Sequence, residues 1–409
     1  MSGPSPSPAP TAPPTGPFDE LFAWGDRMRA AGETVVFDEA VGVWHVFGYE
    51  EAKHVVTAHE TFSSEFPAPE EELSIFSTGN FALMDPPRHR KFRNLVGRAF
   101  TPRSVALLEP RVARLAEEIL DEVPAGEVVD YMEVFASRLT TQVIAELLGM
   151  EPEHREKLRT WSDRLLSQNR TGLDVSPEVL AEIGRTAGEV DGFLRAEMRR
   201  RRETPGTDLI SGLVGAEVDG ERLSDEEIVG VVTLFVMGGH VTTTSLLTSA
   251  AQCLDEFPDV VGRLAADRSL LPSAIEEVVR YRPPFSRVVR RCAVDTELAG
   301  HRIPADAVVV VWLTSANFDG AVFASPERFD ITRTPNPHLG YGHGVHFCLG
   351  APLARMEARV ALNALLDRGV RVTVQGDGAP REAYDPFGGI LSLRSLPVVF
   401  EKGRTGGEA

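Results

Sequence analysis

One cysteine in this chain stands where its sulfur can do chemistry. Cys348 lies in the stretch Gly340-Tyr341-Gly342-His343-Gly344-Val345-His346-Phe347-Cys348-Leu349-Gly350, and a helix-forming run at 351–366 starts directly behind it. Glycine permits backbone conformations and close approaches that a side chain would block. Backbone N–H groups and a helix N-terminus favour the thiolate of a cysteine held among them. With no second cysteine nearby, such a sulfur suits a metal ligand or a nucleophile.

Three other groupings carry candidate chemistry. His89 and Arg93 follow Asp85-Pro86-Pro87 at i, i+4 spacing, hence on one helix face. Glu277 and Arg280 are an acid and a base at i, i+3, where they can pair. Gly238 and Gly239 interrupt an apolar helical run at about 1 kcal/mol each relative to alanine. Their small size lets a ligand press against the helix. Thr242 follows one turn later, where its hydroxyl can bond back to the preceding turn.

The spacing G-x-G-x-H-x-C-x-G resembles the haem-ligand loop of the cytochrome P450 superfamily, with Tyr341 where that family usually carries Phe. The likeness runs from about Phe18 to Phe400 through separate motifs in the right order. It implies a mainly α fold with small β-sheets and a long central helix crossing the domain. It also implies heme b, with Cys348 as the axial thiolate whose electron density favours O–O cleavage. His89, Arg93, Arg290 and His346 match the family's propionate partners, Arg290 being preferred over Arg291. Glu277, Arg280 and Arg328 match a network that braces the haem-binding region.

Val236 to Thr244 aligns with the family's A/G-G-x-(acid)-T-T segment, which makes Thr242 the catalytic hydroxyl that relays a proton. Val241 stands where the acid belongs, and valine neither binds nor delivers a proton. Protons then come through Thr242 and water, through a polar group of the substrate, or matter less to the chemistry. His240 points about 100° away around the helix and reads as structural. By family position Phe76, Phe81, Met237, Gly238, Val241, Phe285, Val289, Ile390 and Leu391 line the substrate pocket, a largely apolar surface.

The activity so implied is insertion of one oxygen atom from dioxygen into a secondary metabolite, by hydroxylation or epoxidation, polyketides and macrolides first. The alternative is coupling, ring closure or peroxide-driven oxidation of a peptide- or amino-acid-derived substrate. No flavin or iron–sulfur motif occurs, so electrons come from outside. A ferredoxin with its NAD(P)H-dependent reductase is the implied donor to a monomeric enzyme. Arg88, Arg90, Lys91, Arg98 and Arg103 form a basic cluster suited to steering an acidic ferredoxin.

The elements that must position these residues read as mostly helical. Apolar spacing predicts helices over 18–31, 50–59, 88–100, 104–122, 131–148, 151–167, 176–202, 208–214, 271–281 and 351–366. Ser224-Asp225-Glu226-Glu227 is a capping box before an apolar run. The helix it opens continues to about residue 257, roughly 50 Å at 1.5 Å per residue, and is buried because nearly every face is hydrophobic. Short strands are predicted at 35–37, 43–47, 288–293, 297–303, 308–312, 370–374 and 393–400. The irregular stretch 61–81, with Phe62, Phe66, Phe76 and Phe81, reads as a functional loop.

Composition sets the outer bounds. The chain has 409 residues and a net charge of −18, which disfavours nucleic acid as a partner. Three cysteines in this length make no disulfide framework, so a reducing cytoplasm is expected. No uninterrupted run of about 18 apolar residues is present, so no membrane span is expected. Residues 1–17, rich in Pro, Ser and Ala, read as a flexible tail, 18–400 as a single domain, and 401–409 as a second tail.

Overall fold

The computed structural model describes residues 18–66, 78–167, 177–217, 220–376, 389–391, 393 and 395–402. Thirteen helices are described: α1 (Phe18–Ala30), α2 (Tyr49–Thr57), α3 (Arg88–Ala99), α4 (Pro102–Glu122), α5 (Ser137–Leu148), α6 (Arg155–Ser167), α7 (Pro177–Glu203), α8 (Leu209–Gly215), α9 (Asp225–Glu256), α10 (Pro258–Ala266), α11 (Leu271–Tyr281), α12 (Leu313–Ala316) and α13 (Ala351–Asp367). The strands are β1 (Val35–Asp38), β2 (Val43–Val46), β3 (Phe62–Ser63), β4 (Val128–Asp130), β5 (Arg287–Cys292), β6 (Thr296–Leu298), β7 (His301–Ile303), β8 (Val308–Trp312), β9 (Val370–Val374) and β10 (Pro397–Lys402). They form a five-stranded sheet in the order β1-β2-β8-β5-β3, a three-stranded sheet β4-β10-β9, and the hairpin β6-β7.

Local chemistry accounts for most boundaries. The Ser224 hydroxyl accepts the Glu227 N–H while the Glu227 carboxylate accepts the Ser224 N–H, so α9 begins where the capping box places it. Thr101 and Ser104 cap α4 in the same reciprocal way. Where 297–303 reads as one strand, Ala299 and Gly300 adopt φ of 48° and 79° and fold it into a hairpin. The expected helix at 131–148 begins with a π-helical turn, Met132–Ala136, before α5. Strand β10 extends to Lys402, opposite Val370, two residues beyond the strand expected at 393–400.

At 32 residues α9 is long and apolar enough to cross a membrane by length and composition. In the fold most of it is buried, packed against α5, α6, α7, α11 and α13, which makes it a core helix. One glycine permits its closest backbone contact. A Cβ on Gly230 would stand 1.5 Å from the Thr78 carbonyl oxygen, whereas a Cβ on Gly238 would meet nothing within 4 Å. Gly230→Ala is therefore expected to destabilise the protein by about 1–3 kcal/mol through overpacking. Gly238→Ala should stabilise it by up to about 1 kcal/mol through helix propensity. Denaturant midpoints of the two variants, moving in opposite directions, check this.

Candidate active site

The cysteine loop is shaped by its glycines. Gly342 and Gly344 sit at φ of 71° and 69°, which an L side chain rarely adopts. The turn lets the Cys348 N–H donate to the Tyr341 carbonyl at 2.9 Å. Tyr341 is buried with the Arg355 guanidinium 4.5 Å over its ring. The Cys348 sulfur receives hydrogen bonds from the Gly350 and Ala351 N–H groups at the start of α13. Burial nevertheless outweighs these bonds and the nearby Arg93 and Arg355, and pushes the thiol pKa up. A metal cation on the sulfur would favour the thiolate directly.

Around this loop gather the residues matched to the propionate partners. His89, buried on α3, lies ring to ring with His346 at 4.4 Å, and its Nε2 is buried without a hydrogen-bond partner among the described residues. One turn on, Arg93 donates to the Phe347 carbonyl at 2.7 Å. Burial lowers the pKa of Arg93, opposed by the nearby Cys348, and likewise that of Arg290, opposed by Asp85. Strand alternation separates Arg290 from its neighbour: Arg291 turns away and pairs with Asp306 at 2.8 Å. Neither Arg93 nor Arg290 has a carboxylate ion-pair partner among the described residues. His346 approaches the Ser64 hydroxyl at 3.1 Å, and burial, then Arg290, pushes its pKa down to about 3. Two desolvated guanidinium groups and an orphaned imidazole nitrogen fit a buried anionic edge.

The bracing network differs from expectation in one residue. Glu277 and Arg280 are both fully buried and joined by two 2.8 Å bonds. Arg333, and not Arg328, reaches the Glu277 carboxylate, at 3.2 Å to both oxygens. Arg328 is exposed and contributes its backbone carbonyl, which accepts from Arg280 at 3.2 Å and Arg333 at 2.9 Å. The buried neighbour Phe329 turns the Arg328 side chain outward, and a turn at Asp330 brings Arg333 back. Asn336 at 3.1 Å and the Asp330 N–H at 2.9 Å complete the shell around Glu277. Nothing in the sequence around Thr332-Arg333-Thr334 marks these partners.

On α9, Gly238 is exposed and Met237, Val241 and Thr242 are half-buried. The Thr242 hydroxyl donates to the Gly238 carbonyl, the back-bond the helix reading expects. His240 points to α5. Phe285 bridges Ile390, and the Leu391 N–H donates to the Pro284 carbonyl at 2.7 Å, so both pocket segments meet. Val289 is exposed at 36%. Two expected pocket residues belong to the core instead. Phe81 packs within the main cluster, and Leu391 packs with Trp24, Phe47 and Trp312 because its backbone is tied down on both sides. Phe76 lies outside the described residues. In the basic cluster Lys91 pairs with Glu221 and Arg98 donates to the Glu217 carbonyl, while Arg90 and Arg103 are exposed.

The profile of the family described as Cytochrome P450 matches residues 37–398. The chain belongs to the cytochrome P450 family. This P450 is 40% identical over 382 residues to the erythromycin C-12 hydroxylase of Saccharopolyspora erythraea, covering 93% of this chain and 94% of that protein. It is also 40% identical over 363 residues to the cyclomarin C epoxidase CymV of Salinispora arenicola, covering 88% and 90%. The open cytochrome P450 EryK from S. erythraea superposes with a TM-score of 0.86 at 38% identity, over 97% of this chain and 100% of that one. The protein is a haem-dependent monooxygenase, and its class takes small-molecule substrates and electrons from redox partners.

Proposed function

We propose that this P450 hydroxylates or epoxidises a secondary metabolite of the polyketide or macrolide class. The observation that carries this is the apolar set Met237, Val241, Phe285, Val289 and Ile390, each left partly exposed, together with the open face of Gly238, in a chain 40% identical to a hydroxylase named for erythromycin. Cys348 would hold the iron of heme b through its sulfur, and His89, Arg93, Arg290 and His346 would hold its propionates. Bound there, the thiolate-ligated iron supplies the activation of dioxygen. The chain's own residues orient and exclude. Val241 keeps charge away from the helix, and Thr242 holds or passes a proton at Oγ1, with water as the outer source. A ferredoxin and its reductase deliver electrons to a cytoplasmic monomer, docking on the face that presents Arg90 and Arg103. Residues 18–400 form one haem domain.

Val241 supports a second reading, in which oxidative coupling or peroxide-driven chemistry on a peptide-derived substrate needs no acid–alcohol relay. Titrating a macrolide panel for a low-spin to high-spin shift, then analysing products with a ferredoxin system and with hydrogen peroxide, separates the two. A product one oxygen heavier, formed only with electrons and dioxygen, supports the main reading. Product with hydrogen peroxide and none with the ferredoxin system overturns it. In the same assay Thr242→Ala should lower product per NAD(P)H several-fold without changing substrate affinity; an unchanged ratio removes the hydroxyl relay.

A further inference from the structure

Helices α9 and α5 meet closely at the level of the candidate site. Gly239 lacks the Cβ that would stand 2.3 Å from Ile144 Cδ1. One residue on, the buried His240 brings Nε2 to 3.0 Å from the Ser137 hydroxyl. A turn later Thr244 Oγ1 lies 2.8 Å from Thr140 Oγ1 and donates to the His240 carbonyl at 2.9 Å. Ser137 opens α5 directly behind the π-helical turn Met132–Ala136. Such turns are rare and recur at functional sites, here one that sets where the Ser137 hydroxyl meets α9. Burial pushes the His240 pKa down to about 4, so the ring is neutral near pH 7 and bonds as a neutral imidazole.

The other side of α9 carries the chemistry. Gly238 faces open space, and Thr242 bonds back to its carbonyl. His240 and Thr242 are two residues apart, about 200° around the helix, so they project to nearly opposite sides. A roll of about 15° would carry an atom some 4 Å from the helix axis by about 1 Å. Displacements of that size cost up to about a hundredfold in rate when they misplace a reacting group.

We infer that His240 is a positioning residue: its bond to Ser137 sets the roll of α9 and thereby where Thr242 presents its hydroxyl. The inference rests on the reading of Thr242 as the proton-handling group. Loss of His240 leaves the Thr140–Thr244 contact and the bond from Ser245 to the Leu391 carbonyl, so the fold keeps two tethers.

The test uses the haem-loaded protein with carbon monoxide as the probe, because its infrared stretch reports a nearby hydroxyl without any substrate. Thr242→Ala should shift that band. His240→Leu should move it toward the Thr242→Ala position and broaden it, and His240→Gln, which keeps a bond to Ser137, should restore it. A band unmoved in Thr242→Ala overturns the reading of Thr242. A shift in Thr242→Ala with none in His240→Leu overturns the role of His240 alone. If His240→Leu does not load haem, Ser137→Ala removes the same bond from the α5 side and is read the same way.

Discussion

Cys348→Ser is expected to reduce product formation to background while leaving the protein folded. The hydroxyl of serine does not ionise in the neutral range, so the replacement keeps the side chain's shape but would remove the electron-rich ligand that Cys348 is proposed to supply to favour O–O cleavage. The loop itself should persist. Its course is set by Gly342 and Gly344 at positive φ and by the Cys348 N–H bond to the Tyr341 carbonyl, none of which uses the sulfur. The Gly350 and Ala351 N–H groups that bond the sulfur can bond an oxygen in its place. The reduced, carbon monoxide-bound absorption band should therefore leave the position a thiolate gives, with little change in thermal midpoint. The other cysteines are controls. Cys253 and Cys292 are fully buried and free, burial pushes the Cys253 thiol up to about 12, and Cys292 donates to the Val294 carbonyl at 3.0 Å. Serine at either position should leave the absorption band in place. A thiolate-type band in Cys348→Ser would remove the assignment.

The division between what could and could not be read from the sequence follows the range of the forces involved. Signals within one or two turns were legible: the Ser224–Glu227 box placed the start of α9 to the residue, and i, i+4 spacing put His89 and Arg93 on one face of α3. Signals that depend on a neighbouring element were not. Arg290 and Arg291 are adjacent, and only the pairing of β5 between β8 and β3 decides which one turns toward Asp85 and His346. Ser64 meets His346, and Ser137 meets His240, across separations of 282 and 103 residues, with no local pattern to announce either. Leu391 reads as a pocket residue by position but packs among Trp24, Phe47 and Trp312, because tertiary contacts choose its side.

Glu277→Ala is expected to be among the most destabilising single changes in this chain. It leaves Arg280, fully buried, and Arg333, nearly so, with no counter-charge, at a cost of about 3–5 kcal/mol for a broken buried pair. That is a large share of the 5–15 kcal/mol that typically separates folded from unfolded. The damage should reach the Cys348 loop. Arg280 donates to the Asn317 carbonyl at 3.0 Å, Asn317 donates back to the Arg280 carbonyl at 3.2 Å, and its side-chain oxygen accepts the Leu339 N–H at 2.8 Å, in the segment that runs on into the Cys348 loop. Haem retention should fall together with stability. The two arginines of the adjoining segment make the assignment specific. Arg333→Ala removes bonds to Glu277 and to the carbonyls of Ala324, Ser325 and Arg328, so it should cost about 1.5–3 kcal/mol, as expected for lost bonds to a charged group. Arg328→Ala keeps the only atom of Arg328 that the network uses, its carbonyl oxygen, and should change stability by less than about 0.5 kcal/mol. Urea midpoints of the three variants order the effects. An Arg328→Ala loss equal to that of Arg333→Ala would return the bracing role to Arg328, and a mild Glu277→Ala would mean that the buried pair is not what holds this segment to α11.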